Sequence, residues 1–272
     1  MAAPPAISES QGYGAQLLAL IGRSGAQLLR SPSAPHRAQA VQLLRRQALW
    51  LSAIGIVLIV ALLFGFDATE IAMMPPRKSP ELWPVQILTD FGKDEYVLAL
   101  LGAVVIAMAL AFPLMHGASR ARLLRMGVFV EFLFLAVLVP VLVTDVIKRA
   151  VGRGRPFVGG SADPFNFLPF HGAEPYFSFP SAHAVTAFAL ALGVSAIWPR
   201  WRIAMFIYAG AIALSRLVLL AHHPSDVVGG AVVGILGTLA VRHWFAVRGL
   251  GFAIGEGGAI THARISREIA GP

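Results

Sequence analysis

The chain has 272 residues, of which 57% are hydrophobic and only 13% charged, with a mean hydropathy of +0.71. A soluble domain carries about 25% charged residues, so roughly half the expected solvated surface is missing and membrane is the class indicated. The net charge of +8 does not point to nucleic acid, because the basic residues fall between apolar runs rather than on one polar face. The absence of cysteine excludes disulfides, thiolate metal sites and a cysteine nucleophile.

Residues 1–46 do not read as a signal peptide: "AQLLALIG" is too short an h-region and no clear small-residue cleavage site follows. Two readings stay open for them, a short amphipathic helix on the membrane and a mobile tail, with Gly22 and Gly25 weakening the helix. Beyond them, spanning needs roughly 20 apolar residues. The stretches that approach or meet this are Ala48–Phe66, Tyr96–Met115, Met126–Thr144, Ala182–Trp198, Ile203–Ala221 and Val227–Val247. They predict an all-α, polytopic membrane bundle of six spans over 47–247, with cytoplasmic tails at 1–46 and 248–272. Gly230 and Gly234 have the small-xxx-small spacing that lets helices approach closely, a packing signal without chemistry.

Arginines set the orientation. Arg23, Arg30, Arg37, Arg45 and Arg46 precede the first span; Arg120, Arg122 and Arg125 follow the second; Arg200 and Arg202 follow the fourth. Arg242, Arg248, Arg264 and Arg267 close the chain. Six spans put all of these on one side, so both termini are expected in the cytoplasm. The connections 148–180 and 222–226 then face outward. Arg/Ala/Gly-rich usage suggests a bacterial inner membrane.

The first outward connection opens "KRAVGRGRP", with Lys148, Arg149, Arg153 and Arg155 on the side where cations are disfavoured. Headgroup anchoring explains one or two of them; four fit a bound anion better, since Arg suits bidentate phosphate recognition and Lys supplies a compact charge. That connection ends in "FPSAHAV", where Pro180 suits a first helical position and Ser178 could cap. The amides of Ser181, Ala182 and His183 would then face an anion at the helix start, with His183 a candidate proton donor. Between these ends lie Phe157, Phe165, Phe167, Phe170, Tyr176, Phe177 and Phe179, either an aromatic cap or a lipid-facing entrance.

The stretch "SRLVLLAHHPSD", 215–226, carries Arg216 inside an apolar run, where charge persists mainly if paired or functional. His222 is expected at the outward end of the fifth span, with Asp226 capping the sixth and accepting an N–H from His222. An imidazole so fixed keeps one nitrogen bare and aimed, as a nucleophile or base requires. A serine-hydrolase reading of Ser215 fails unless the helix is broken before His222, because seven residues of continuous helix separate the two by about 10.5 Å; the Ser215 hydroxyl is expected to bond its own helix. His223 is read as a rim residue and His171 as a surface group. Asp163 and Glu174 lack ligand-like spacing. Glu131, inside the third span, is either functional or an arginine's partner, and Asp145 is expected to orient Lys148.

Three motifs in this order resemble the type-2 phosphatidic acid phosphatase family, the lipid phosphate phosphatase superfamily. Lys148 and Arg155-Pro156 match its Lys, six residues, Arg-Pro. Pro180, Ser181 and His183 match Pro-Ser-Gly-His, with Ala182 in place of the glycine. Ser215, Arg216, His222 and Asp226 match Ser-Arg, five residues, His, three residues, Asp. The resemblance covers roughly 90–245. It implies that His222 attacks phosphorus, that Asp226 orients it, and that His183 protonates the leaving oxygen. It implies that Lys148, Arg155, Arg216, Ser181 and the Ala182 amide bind the phosphoryl oxygens. The implied activity is hydrolysis of a lipid mono- or diphosphate through a phosphohistidine, with neither metal nor cofactor and with membrane lipids as the surroundings. Candidate substrates are phosphatidate, phosphatidylglycerol phosphate, undecaprenyl diphosphate and a lipid A phosphate. A lipid phosphotransferase using the same intermediate, and a non-enzymatic anion-binding membrane protein, are the alternatives.

Overall fold

A computed structural model of the chain describes residues 7–32, 37–76, 79–160 and 163–262, so that Arg264 and Arg267 lie outside the described residues. The chain forms helices α1 (Tyr13–Leu29), α2 (Arg37–Gly65), α3 (Asp67–Met73), α4 (Trp83–Asp90), α5 (Asp94–Ala111) and α6 (Gly117–Val151). These are followed by α7 (Ala182–Ile197), α8 (Arg202–Val218), α9 (Pro224–Ala246) and strands β1 (Phe252–Ile254) and β2 (Ile260–His262). Each apolar stretch of the sequence falls on a helix. Among the described residues, Arg37–Gly65, Pro80–Leu114, Gly117–Val151, Pro199–Val218 and Pro224–Ala246 are long and apolar enough to cross a membrane. Helix α7 has 16 residues, about 24 Å at 1.5 Å per residue, shorter than a hydrocarbon core of about 30 Å.

The chain divides into two compact units, one of 1–45, 101–132 and 241–272 and one of 46–100 and 133–240. In the first, α1 is tied down by polar contacts: Tyr13 donates to the Leu110 carbonyl at 2.8 Å, Arg120 to Gln16 at 2.9 Å and Trp244 Nε1 to the Leu28 carbonyl at 3.1 Å. Ser24 Oγ donates to Glu131 at 2.7 Å, so the carboxylate inside the third apolar stretch has a hydroxyl as partner where an arginine was one expectation. Strands β1 and β2 pair antiparallel, Phe252 opposite His262, and the buried Phe252 ring packs edge-on against Phe129 and Phe132.

The second unit contains every residue of the three motifs. Small side chains bring its helices close: Ala187 and Ala191 of α7 pack on Ala209 and Ile212 of α8, all fully buried. Glycines do the same between α7 and α9. A Cβ on Gly230 would stand 2.5 Å from the Ser181 carbonyl oxygen, and one on Gly234 2.4 Å from that of Val185. Backbone atoms cannot rotate away, so Gly234→Ala is expected to cost about 1–3 kcal/mol, read as a lower Tm of the purified protein in detergent. A wild-type Tm would contradict this close approach.

Proline inside α6 leaves a second mark. Pro140 has no N–H, so the carbonyl four residues earlier loses its helical donor, and that carbonyl belongs to Ala136. Thr238 of α9 supplies the missing donor, its hydroxyl 3.3 Å from Ala136 O and 3.3 Å from Ala189 O. In hydrocarbon no water can substitute, so one threonine ties α6, α7 and α9 together.

Candidate active site

Helix α6 ends where Gly152 takes φ +58, a conformation that favours glycine, and its carbonyl accepts the Leu168 amide at 2.7 Å. This stop places half-buried Lys148 in the last turn. Arg153 follows and is only 2% exposed. The sequence grouped it with the anion-binding cations, but its guanidinium is fully engaged. It donates to Asp226 Oδ1 at 2.6 Å, to Asp67 Oδ2 at 2.8 Å, to Ser225 Oγ at 2.6 Å and to the Pro164 carbonyl at 2.9 and 3.1 Å. Both carboxylates are fully buried. Removing one partner of such a pair costs about 3–5 kcal/mol, so Arg153 is a structural tie. Arg155 instead pairs with the exposed Glu174 through one terminal nitrogen, and its buried Nε has no protein partner.

The start of α7 departs from expectation. The helix begins at Ala182 with Ser181 as N-cap, and Pro180 lies before it, on a cis bond from Phe179. The Ser181 amide is used, donating to the Asp226 carbonyl at 3.0 Å. The open first-turn amides are therefore those of Ala182, His183 and Ala184. Ala182 has no positive φ, so its methyl brings no backbone strain where the family has glycine. Ser181 Oγ and His183 Nε2 are buried without a protein partner.

Helix α8 ends in a Schellman turn: the Ala221 amide reaches the Arg216 carbonyl at 3.0 Å and the Leu220 amide that of Leu217 at 2.8 Å. Leu220, not glycine, takes the left-handed position at φ 49, with its side chain buried. The turn breaks the helix between Ser215 and His222, so the spacing of a continuous helix does not hold there. Arg216, buried, donates to Thr89 Oγ1 of α4 at 2.7 Å while its Nε has no protein partner. Ser215 Oγ bonds its own helix at Ile212 O, 2.6 Å away, as expected.

His222 Nδ1 lies 2.8 Å from the Ser178 carbonyl. A carbonyl only accepts, so Nδ1 carries the proton and Nε2 keeps its lone pair. Asp226 Oδ2 is 3.8 Å from Nδ1, too far for the hydrogen bond expected from sequence. Asp226 acts on neighbours instead. Its Oδ2 accepts Ser178 Oγ at 2.6 Å and the His223 amide at 2.9 Å, the latter satisfying an open N–H at the start of α9. Ser178, expected as a cap of α7, is the residue that joins Asp226 to His222. Burial pushes the His222 imidazole down to about 4, the Asp226 carboxylate opposing this and Arg216 adding to it; the ring is neutral at pH 7. His223 is fully buried rather than at a rim, and burial lowers its pKa too.

The motif residues therefore converge. His183 lies within electrostatic reach of Arg216, His222 and Lys148, and Arg155 within reach of Lys148, Arg216 and His222. Asp145 and Asp94 both act on Lys148. Residues outside the site have ordinary duties: Asp163 accepts the Phe165 amide at 2.9 Å, and His171 packs on Tyr176 with ring centroids 5.1 Å apart. Sequence reasoning missed Asp67, Thr89 and Ser225. Only Asp67 had a signal, a carboxylate directly after an apolar span.

Known proteins are similar to this chain in sequence. The model of the PAP2 superfamily matches residues 129–250, which include all three motifs. A lipid A 1-phosphatase of Rhizobium etli is 30% identical over 84% of this chain and 97% of its own length. A lipid A 1-phosphatase of Rhizobium johnstonii is 31% identical over 79% of this chain and 87% of its own. An Escherichia coli protein provisionally named an undecaprenyl-diphosphatase is 28% identical over 61% of this chain and 75% of its own. With relatives matched over nearly their whole length and the three motifs converging on one histidine, the chain belongs to the PAP2 superfamily.

Proposed function

We propose that the protein is a membrane phosphatase that hydrolyses a lipid phosphate or diphosphate through a phosphohistidine at His222. The observation that carries this is the bare Nε2 of a neutral, carbonyl-fixed imidazole whose ring lies within electrostatic reach of His183, Arg155 and Arg216, each with a buried nitrogen that has no protein partner. Simple anion binding needs no such imidazole, which weighs against a non-enzymatic role. Lys148, Arg155 and Arg216, with Ser181 Oγ and the Ala182 amide, hold the phosphoryl oxygens. Phosphoryl transfer is mostly positioning and charge stabilisation, which cations and amides supply.

In the first step the Nε2 lone pair forms a bond to phosphorus as the bond from phosphorus to the lipid oxygen breaks. His183 gives its proton to that oxygen; the bound phosphate's negative charge favours the protonated ring beforehand. Nδ1 keeps its proton, so the phosphorylated His222 ring is cationic, with the Asp226 carboxylate nearby. In the second step neutral His183 takes a proton from water, the water oxygen bonds to phosphorus, and the P–N electron pair returns to Nε2. Inorganic phosphate leaves and His183 is protonated again.

A lipid A 1-phosphate is the substrate class favoured by the names of the two Rhizobium relatives, with undecaprenyl diphosphate next by the E. coli relative. Exposed Phe157, Phe165, Phe167 and Phe170 of the connection before α7 suit acyl or isoprenyl chains entering from the bilayer. A six-span bundle, counting α7 as the short fourth span, agrees with these helices and with the arginine distribution. Both termini are then cytoplasmic and the site faces outward, in a bacterial inner membrane. Purified protein in detergent with EDTA is expected to release inorganic phosphate from lipid A 1-phosphate faster than from phosphatidate. Phosphate moving to a second lipid without release would overturn hydrolysis in favour of transfer, and a strict divalent-metal requirement would overturn the cation-only mechanism.

A further inference from the structure

The site's nucleophile is held by a chain of buried groups that begins far from it in sequence. Asp67, in the first turn of α3, accepts Arg153 at 2.8 Å and the Ser225 amide at 3.0 Å, and it also accepts Ser225 Oγ. Arg153 donates to Asp226 Oδ1 and to Ser225 Oγ, each at 2.6 Å. Asp226 accepts Ser178 Oγ at 2.6 Å, and the backbone carbonyl of Arg153 accepts the Ser178 amide at 3.0 Å. Ser178 is thus gripped twice by one residue, through Arg153's main chain and, by way of Asp226, through its side chain. The carbonyl of Ser178 is what His222 Nδ1 bonds, at 2.8 Å. Asp67, Ser178, Ser225 and Asp226 are each fully buried and Arg153 is 2% exposed, so no water competes for these bonds.

We propose that Asp67 and Arg153 are positioning residues, which act through Asp226 and Ser178 to fix the rotation of the His222 ring and keep Nε2 aimed at the phosphoryl site. The inference rests on the phosphohistidine reading given above. Neither residue touches the phosphate: Arg153 spends its donors on Asp67, Asp226, Ser225 and Pro164, and the phosphate cradle is built from other side chains. Loosening the chain therefore harms the in-line geometry of attack, which exists only in the transition state, and leaves ground-state phosphate binding intact.

Asp67→Asn keeps the shape and removes the charge that accepts Arg153. The readout is the ratio of two inhibition constants measured on the full chain in detergent, for vanadate, which accepts Nε2 in trigonal-bipyramidal geometry, and for inorganic phosphate. Each is a property of the folded molecules, so a partly unfolded sample does not alter it. The expected result is vanadate inhibition weakened about 10-fold or more, with the phosphate constant and KM within about twofold of wild type. Arg153→Lys, which keeps the charge but loses the fork, and Ser225→Ala, which deletes one hydroxyl, are read by the same ratio should Asp67→Asn fail to fold. A ratio unchanged in every variant that folds overturns the inference. The wild type separates this failure from the other: if it forms no phosphoryl-His222 and vanadate binds no better than phosphate, the phosphohistidine reading itself falls.

Discussion

Replacement of His222 by alanine or asparagine is expected to lower phosphate release by about four orders of magnitude or more, the scale seen when a covalent nucleophile is removed. The asparagine variant is the sharper probe. Its side-chain amide can still donate to the Ser178 carbonyl that now receives Nδ1–H, so the buried acceptor is not orphaned and folding is preserved. What it lacks is a second nitrogen with a free lone pair pointed at phosphorus. Near-wild-type release by either variant, measured with lipid phosphate in detergent, would mean that the attacking atom lies elsewhere.

His183→Gln is expected to give the next largest loss, about 10²- to 10⁴-fold on a lipid alkyl phosphate, the contribution usual for a positioned proton donor. The loss should depend on the leaving group. A lipid alkoxide is strongly basic and needs its proton as the bond breaks, whereas nitrophenolate leaves without one. The variant should therefore retain far more of the wild-type rate on p-nitrophenyl phosphate than on the lipid. Glutamine preserves a polar side chain at the first turn of α7, next to the unpartnered Ser181 Oγ, so phosphate binding should persist. Equal losses on both substrates would show that His183 binds phosphate rather than donating a proton to the leaving group.

Much of this architecture was legible in the residues because hydrophobic runs and short motifs are local signals. Each apolar stretch marked a helix, although α2 starts at Arg37 rather than Ala48 and α6 runs Gly117–Val151 rather than Met126–Thr144, and the spacing of Lys148, Arg155, His183, Arg216, His222 and Asp226 identified side chains that the structure brings within electrostatic reach of one another. Gly230 and Gly234 read correctly as close-packing positions. The chain ends of helices were harder. A Schellman turn with leucine in the left-handed position has no glycine to announce it, so the bend between Arg216 and His222 was invisible. Helix α7 starts at Ala182, two residues downstream of Pro180, and Ser178 bonds Asp226 instead of capping the helix.

Long-range partners were the least legible. Arg153 and Arg155 are two residues apart and look alike in sequence, yet one is locked between Asp67 and Asp226 while the other reaches an exposed glutamate. Only knowledge of what lies opposite could separate them, and Asp67 sits 86 positions from Arg153. Glu70, one turn beyond Asp67, is buried with both oxygens unpartnered, and burial together with Asp67 raises its pKa to about 7. Such a group carries no charge at mildly acidic pH and leaves the Asp67–Arg153 pair undisturbed there.

The central assertion is that a phosphoryl group passes through Nε2 of His222. Wild-type protein mixed with a lipid phosphate labelled in the transferred phosphoryl group, quenched in alkali and digested, should yield one labelled peptide that contains His222, with label stable to base and lost in acid. Label on any other residue, or turnover with no trapped phosphoryl enzyme at any quench time, would contradict the account.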